Sequence, residues 1–380
     1  MRAIRTLLNN EFSFLEGLRA RPSLTSNLFS LYFNKRNYGG PTFITWELTN
    51  QCQCKCKHCE RDIESKPLSR FERLEIVKNI ILLPTRWISL LGGEPFIVPE
   101  IIEIAEILKS KGKKVTITTN GLLLKEFIKD LIRIKIDAIH LSVDSHRSEV
   151  HDCLRNTPGL FNNLLDSIME IRKNRISRKV SIKLRCTISK ANYRELIEYV
   201  EFWKDKADAI YFQPIVDNNL NRVRDKSLLF TEGDEDSFRD ILSRLQNRNS
   251  SFRNIYYSLM PEYIFNRQGF FKKLNYQCLL TSSCGLNILP NGCITICYGR
   301  RENVSGNALH ESIMDIWRKP ETMVSKKNIL NTPAEYFYSQ CFCWDPNTAF
   351  NLYLVFLSNW IKTTFGLIFK LNILNYLYCK

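Results

Sequence analysis

The chain has 380 residues, 44% hydrophobic and 24% charged, a balance that supports a large buried core and excludes a disordered polymer. Its formal charge of +15 suits an anionic partner or an acidic membrane surface. Nucleic acid is not expected as a partner, because zinc-finger spacing, a single-strand-binding motif and a dense arginine stripe are all missing. Thirteen cysteines in so long a chain exclude a small secreted disulfide framework.

Residues 1–41 mix short apolar runs with Arg19, Arg21, Lys35 and Arg36 and end in Gly39-Gly40-Pro41. They read as an N-terminal lead-in, and no continuous apolar signal segment follows Met1-Arg2-Ala3-Ile4-Arg5, so a reduced, cytoplasmic compartment is expected. Over residues 42–255, strand-like and helix-like segments alternate. Candidate strands are 43–48, 86–91, 114–119, 137–143, 180–187 and 208–213. Helical periods such as 101–108 and 193–200 lie between them, which predicts βα units around a parallel sheet. Residues 256–346 change character, with short segments and six cysteines. Within them, Ile288 to Cys297 reads as a hairpin turning at Asn291-Gly292. Ser312 to Trp317 reads as a helix with Trp317 in the core. Residues 347–380 form an apolar, basic tail. Asn359 and Lys362 near the middle of its apolar run count against a spanning helix. A segment lying on a membrane or packing on the barrel is expected instead.

Chemistry concentrates just beyond the candidate strands. Cys52, Cys56 and Cys59 follow the first at the spacing Cys-x3-Cys-x2-Cys, with Cys54 inside the loop. Three thiolates on one loop can hold three irons of a [4Fe-4S] cube and leave the fourth open. A Cys52, Cys54 and Cys59 set is the alternative. Gly92-Gly93-Glu94-Pro95 follows the second strand, Thr118-Thr119-Asn120-Gly121 the third, and Ser142-Val143-Asp144 the fourth. In this order, over roughly residues 43 to 215, the motifs resemble the radical S-adenosylmethionine (SAM) enzyme superfamily.

The resemblance implies an α/β fold: a partial (β/α)6 TIM-like barrel over 42–255, with a small C-terminal iron–sulfur domain over 256–346. It selects Cys52, Cys56 and Cys59 as ligands of a [4Fe-4S] cluster whose open iron binds S-adenosylmethionine. Reductive cleavage of that cofactor would give a 5'-deoxyadenosyl radical that abstracts hydrogen. The cofactor-binding residues it implies are His58 near the adenine, Gly92 and Gly93 beside the methionine amino group, then Glu94, Pro95 and Asn120. Ser142 and Asp144 would stand at the ribose or carboxylate. Asn192 and Arg185 complete the set, Arg185 either neutralising the cofactor carboxylate or standing in the barrel wall. His58 has a packing role as its alternative, and Glu94 a role in fixing its own loop.

Cys278, Gly292 and Cys297 are spaced as in the auxiliary-cluster extensions called SPASM and twitch domains. That resemblance implies a second [4Fe-4S] cluster on Cys278, Cys297, Cys341 and Cys343. Here the closing pair is Cys-x-Cys where Cys-x2-Cys is usual, so Cys284 is an alternative ligand; zinc is the alternative metal. Cys153, Cys186 and Cys293 are expected in the core. The implied partners are a one-electron reductant such as flavodoxin or ferredoxin and a small or lipid-linked substrate. Peripheral membrane contact through the tail is also expected. A peptide substrate is the runner-up, since so short a lead-in leaves little room for a leader-recognition module. A non-catalytic iron–sulfur scaffold is the rival of another class. No catalytic acid or base can be named from the sequence.

Overall fold

The computed structural model describes residues 40–41, 43–60, 67–173, 180–217, 222–253, 255–274, 278, 285–297 and 301–330. In chain order the barrel runs β1 (Phe43–Glu47), α1 (Arg70–Ile81), β2 (Trp87–Leu91), α2 (Ile101–Ser110), β3 (Lys114–Thr119), α3 (Leu124–Arg133) and β4 (Ala138–Ser142). It continues with α4 (Ser148–Arg155), α5 (Leu160–Arg172), β5 (Ser181–Ile188), α6 (Leu196–Trp203), β6 (Ala209–Pro214) and α7 (Glu235–Arg248). Short helices α8 (Ile255–Ser258), α9 (Met260–Phe265) and α10 (Arg267–Leu274) lead to β7 (Gly285–Ile288), β8 (Cys293–Thr295) and β9 (Val304–Asn307). Then come α11 (Ile313–Arg318) and α12 (Pro320–Leu330). Each expected barrel strand is found within a residue at either end. Residues 1–39 of the N-terminal lead-in and the whole C-terminal tail fall outside the described residues, as do Cys284, Cys341 and Cys343.

The sheet has the order β6-β5-β4-β3-β2-β1-β7-β8-β9. Neighbours from β6 to β7 are parallel, while β7 to β9 are antiparallel. Each parallel step needs a crossover, and the alternating helices supply it. The first strand of the expected hairpin therefore has a second role. β7 pairs in parallel with β1, Phe43 opposite Gly285 and Thr45 opposite Asn287, and extends the barrel sheet by one strand. Its turn matches the Asn-Gly signal, with Gly292 at φ +81, a left-handed conformation that costs glycine little.

The two faces of the sheet differ in chemistry. Ile44, Trp46, Ile88, Leu90, Val115, Ile117, Ile139, Leu141, Ile182 and Leu184 point outward and are almost fully buried. Against them pack Ile76, Ile80, Ile101, Ile104, Leu108, Leu124, Ile128, Leu160, Leu164 and Ile168 from the helices. Residues at the intervening positions are mostly polar and half-buried, and they face the barrel interior. Helix α1 starts on a capping box in which Ser69 and Glu72 exchange hydrogen bonds. Its buried Arg73 reaches Glu100 at 2.5 Å and fixes α1 against the start of α2.

Candidate active site

The loop after β1 carries the cysteines and is clamped through its backbone on three sides. Toward β2, Gly93 N–H donates to Thr49 O at 2.7 Å and Glu94 N–H to Gln51 O at 2.9 Å. Toward the end of α4, Lys57 N–H donates to Leu154 O at 2.9 Å. Toward the segment after β6, Asp225 N–H donates to Lys57 O at 2.8 Å, and Glu60 N–H to Arg222 O at 2.8 Å.

The glycines act on a nearer partner than the expected cofactor amino group. A Cβ on Gly93 would lie 1.9 Å from Gln51 O, and one on Gly92 would lie 2.3 Å from Thr49 O. Their bare backbones let the two loops touch, while both residues also line the cavity. Glu94 turns away from that cavity. Its carboxylate accepts from Thr119 Oγ1 at 2.7 Å, Asn120 N–H at 2.8 Å and Phe96 N–H at 3.1 Å. It thus ties the β2 loop to the end of β3, the loop-fixing alternative for this residue. Burial raises its carboxyl to about 7 against the pull of these three donors. Pro95 opens the short 3-10 turn that Glu94 caps.

A cavity of about 410 Å³ opens at the C-terminal ends of the strands. Cys52, Cys54, Cys56, Cys59, His58, Gly92, Gly93, Asn120 and Ser142 all line it, joined by Thr118, Thr187, Gln213 and Arg155. Asn120 places Nδ2 3.6 Å from Cys52 Sγ. Among the described residues no three His, Cys, Asp or Glu side chains converge on a point that could hold a single metal ion. Three thiols spread around a cavity suit a multi-iron cube instead, since each thiolate of a cube meets a different iron. The wall carries cations in Lys55, Arg155 and Arg224 and, among the described residues, no carboxylate. That sign suits a cube carrying three thiolates.

Asp144 stands behind this wall. Its carboxylate meets Arg155 at two points, Oδ1 accepting a hydrogen bond from Nη2 at 2.9 Å and Oδ2 in ion-pair contact with Nε at 2.6 Å, and Oδ1 also accepts from Thr187 N–H at 2.9 Å. Burial would raise this carboxyl, but Arg155, His58 and His151 outweigh it and hold it below the usual range. Arg155 in turn extends Nη1 to 3.9 Å from Cys56 Sγ. Asp144, expected at the cofactor's ribose or carboxylate, instead positions an arginine beside the cysteine loop. Asn192 is structural too: Nδ2 donates to Asp144 O at 2.8 Å and to Thr187 O at 3.0 Å, away from the cavity. His58 lies 3.9 Å from Asp144, and burial lowers its imidazole to about 4, so it is neutral at pH 7.

Arg185 does not line the cavity; it donates from Nε to His140 Nδ1 at 3.1 Å inside the barrel. Cys186 is buried as expected, but Cys153 is exposed: α4 buries His151, Leu154 and Arg155 and turns Cys153 outward, with Lys57 Nζ 3.2 Å away. Cys293 is half-buried on β8, and Trp317 is in the core. Cys278 and Cys297 are both half-buried; the other expected auxiliary ligands lie outside the described residues. Among the described residues no helix is long and apolar enough to cross a membrane. The sequence reading missed Arg155. Its side chain hides within an ordinary amphipathic helix pattern, and only the turn from β4 back to α4 aims it at the cysteines.

Comparison with known proteins bears on the family and the fold. Residues 46–202 match the family described as the radical SAM superfamily. The chain is 29% identical over 176 residues to an AdoMet-dependent heme synthase of Methanosarcina barkeri, covering 45% of this chain and 49% of that protein. It is 25% identical over 291 residues to the antilisterial bacteriocin subtilosin biosynthesis protein AlbA of Bacillus subtilis, covering 74% of this chain and 60% of that one. It thus spans about half the length of the curated relatives it matches. Among solved structures it is similar to Streptococcus suis SuiB, with a TM-score of 0.57 at 18% identity over 81% of this chain and 72% of that one. It is also similar to anSMEcpe with bound AdoMet, with a TM-score of 0.56 at 17% identity over 87% and 99%. At these identities the structural likeness speaks for the fold, and it extends beyond the barrel into the C-terminal extension.

Proposed function

We propose that this chain, whose residues 46–202 match the radical SAM superfamily, cleaves S-adenosylmethionine reductively and uses the radical to take hydrogen from a substrate held in the barrel. The observation that carries this reading is the convergence of Cys52, Cys56 and Cys59 on one cavity that Gly92 and Gly93 also line. These three cysteines would hold the [4Fe-4S] cluster, with Cys54 a neighbour in the same wall. When bound, the cluster supplies the electron that breaks the cofactor's sulfonium bond to give the 5'-deoxyadenosyl radical.

The chain's own residues hold the reactants. Arg155 offers its guanidinium to the cofactor's carboxylate, kept in register by Asp144. Asn120 and Ser142 offer hydrogen bonds from the ends of β3 and β4. Glu94 locks the loop that closes one wall, and it exchanges no proton with the substrate in this reading. Placing the chemistry at the C-terminal ends of parallel strands follows the rule for barrels.

Cys278 and Cys297, with Cys341 and Cys343, would hold an auxiliary cluster that accepts an electron or anchors substrate. A flavodoxin or ferredoxin would supply the reducing electron. For the substrate, the apolar C-terminal tail supports a small or lipid-linked molecule. The peptide alternative draws on a likeness to a bacteriocin biosynthesis protein that covers 74% of this chain. Anaerobic reconstitution with iron and sulfide, followed by dithionite and S-adenosylmethionine, is expected to yield 5'-deoxyadenosine. A protein with its cluster fully loaded and no such product would favour the scaffold reading.

A further inference from the structure

The interior of the barrel is charged beneath the cysteine cavity. On β5, Ile182, Leu184, Cys186 and Ile188 face outward into the core. Lys183, Arg185 and Thr187 alternate with them and point inward. Thr187 lines the cavity, and Arg185 is the next inward residue below it on β5, in register with Ser142 of β4, which also lines the cavity. Register places Tyr211 of β6 directly beside Arg185, and His140 of β4 beside Lys183.

The inward positions of a barrel are normally filled by bulky branched apolar side chains. A cation in this position is costly unless an anion compensates it. Arg185 has as its hydrogen-bond partner the ring nitrogen of His140, a neutral group, and among the described residues it forms no ion pair. Burial, then the charges of Arg185 and Lys183, push the His140 imidazole down to about 2, so it accepts and adds no charge. The inward carboxylate on the described barrel strands is Glu47, and Arg301 engages it at 2.5 Å. Among the described residues, no carboxylate therefore claims the donor fork that Arg185 presents to the lumen.

We propose that Arg185 is the seat of an anionic group of the substrate, a carboxylate or a phosphate. Tyr211 stands ready to complete its hydrogen bonds. Calling the guest a substrate rests on the radical reading above; the anion site itself does not.

The test uses the full-length protein, reconstituted anaerobically and reduced. The probes are inorganic phosphate and succinate labelled with 13C at its carboxyls. Each probe is titrated without and with saturating S-adenosylhomocysteine, which fills the cofactor site without being cleaved. Paramagnetic broadening by the reduced cluster reports a probe held in the barrel. At least one probe is expected to show saturable broadening, and the responding probe tells phosphate from carboxylate. Loss of a charged hydrogen-bonding fork in Arg185→Gln should weaken that probe about ten-fold or more. Arg185→Lys should restore part of the binding, and Lys125→Gln on the outer surface of α3 should leave it unchanged.

Three results would overturn the proposal: neither probe broadened, broadening untouched in Arg185→Gln with its cluster absorbance intact, or displacement of the probe by S-adenosylhomocysteine. The last would return Arg185 to the cofactor carboxylate. Formation of 5'-deoxyadenosine in the same preparations reports separately on the radical chemistry, so the two readings fail independently.

Discussion

The outer and inner faces of one sheet divide the work of this protein. Outward residues such as Ile117, Leu141 and Leu184 are fully buried under helices, and their apolar area is the main source of stability. Inward residues such as Thr116, His140 and Arg185 are only half-buried and polar, and they contribute little to cohesion. Alternation along a strand separates the two sets, so one short segment carries both fold and site. The contrast teaches where change is tolerated. The outer face accepts little change of volume, while the inner face can change its chemistry without unfolding the sheet.

Substitutions can break this comparison at several points. The largest expected loss is at the seam between the faces. Asp144→Ala leaves Arg155 buried without its carboxylate and should cost about 3–5 kcal/mol, read as a lowered denaturation midpoint. A smaller loss than for an exposed pair, under about 1 kcal/mol, would show that water reaches this pair. On the outer face Ile117→Ala should cost about 2–5 kcal/mol, whereas its inward neighbour Thr116→Ala should cost less than about 0.5 kcal/mol. Equal effects at 116 and 117 would contradict the division of faces.

Gly93→Ala tests the loop seam. A Cβ 1.9 Å from Gln51 O must force the β2 loop away from the cysteine loop, at about 1–3 kcal/mol. Iron content after reconstitution should fall with it; wild-type loading would show that the contact is dispensable.

Acid tests the lumen. The His140 imidazole is held neutral with its folded value at about 2, while an unfolded histidine titrates near 6.5. Below about 6.5 the unfolded chain therefore binds the additional proton. Stability should fall as pH drops from 7 to 5, by about 2 kcal/mol for this group. His140→Gln should flatten the pH dependence of the apoprotein's melting by that amount, and an unaltered slope would mean the lumen is well hydrated.

Much of this was legible in the sequence. The cysteine spacing and the Gly-Gly-Glu-Pro run each sit at the end of an apolar strand segment, and those strands stand within a residue of their expected ends. Residues whose role depends on a partner distant in sequence were not legible. Asp144 is read as a cofactor contact until Arg155 is seen locked against it, and Asn192 until its amide is found on Asp144 O. β7 was hidden because Gly285-Leu286-Asn287-Ile288 is too short to signal a barrel strand, and only pairing with β1 reveals it. The inward cations had a readable signal in the alternation of Lys183, Arg185 and Thr187 with apolar neighbours. In a barrel buried on both faces, charge at that period marks a lumen.

The central claim, that three thiols hold a cube with one open iron, is tested most directly by electron paramagnetic resonance of the reduced, reconstituted protein. To isolate this cluster, the later cysteines Cys278, Cys284, Cys297, Cys341 and Cys343 are changed to alanine. The account predicts a [4Fe-4S] signal that shifts when S-adenosylmethionine is added and vanishes when Cys52, Cys56 and Cys59 are also replaced. A signal that ignores the cofactor, or survives loss of all three, would contradict it.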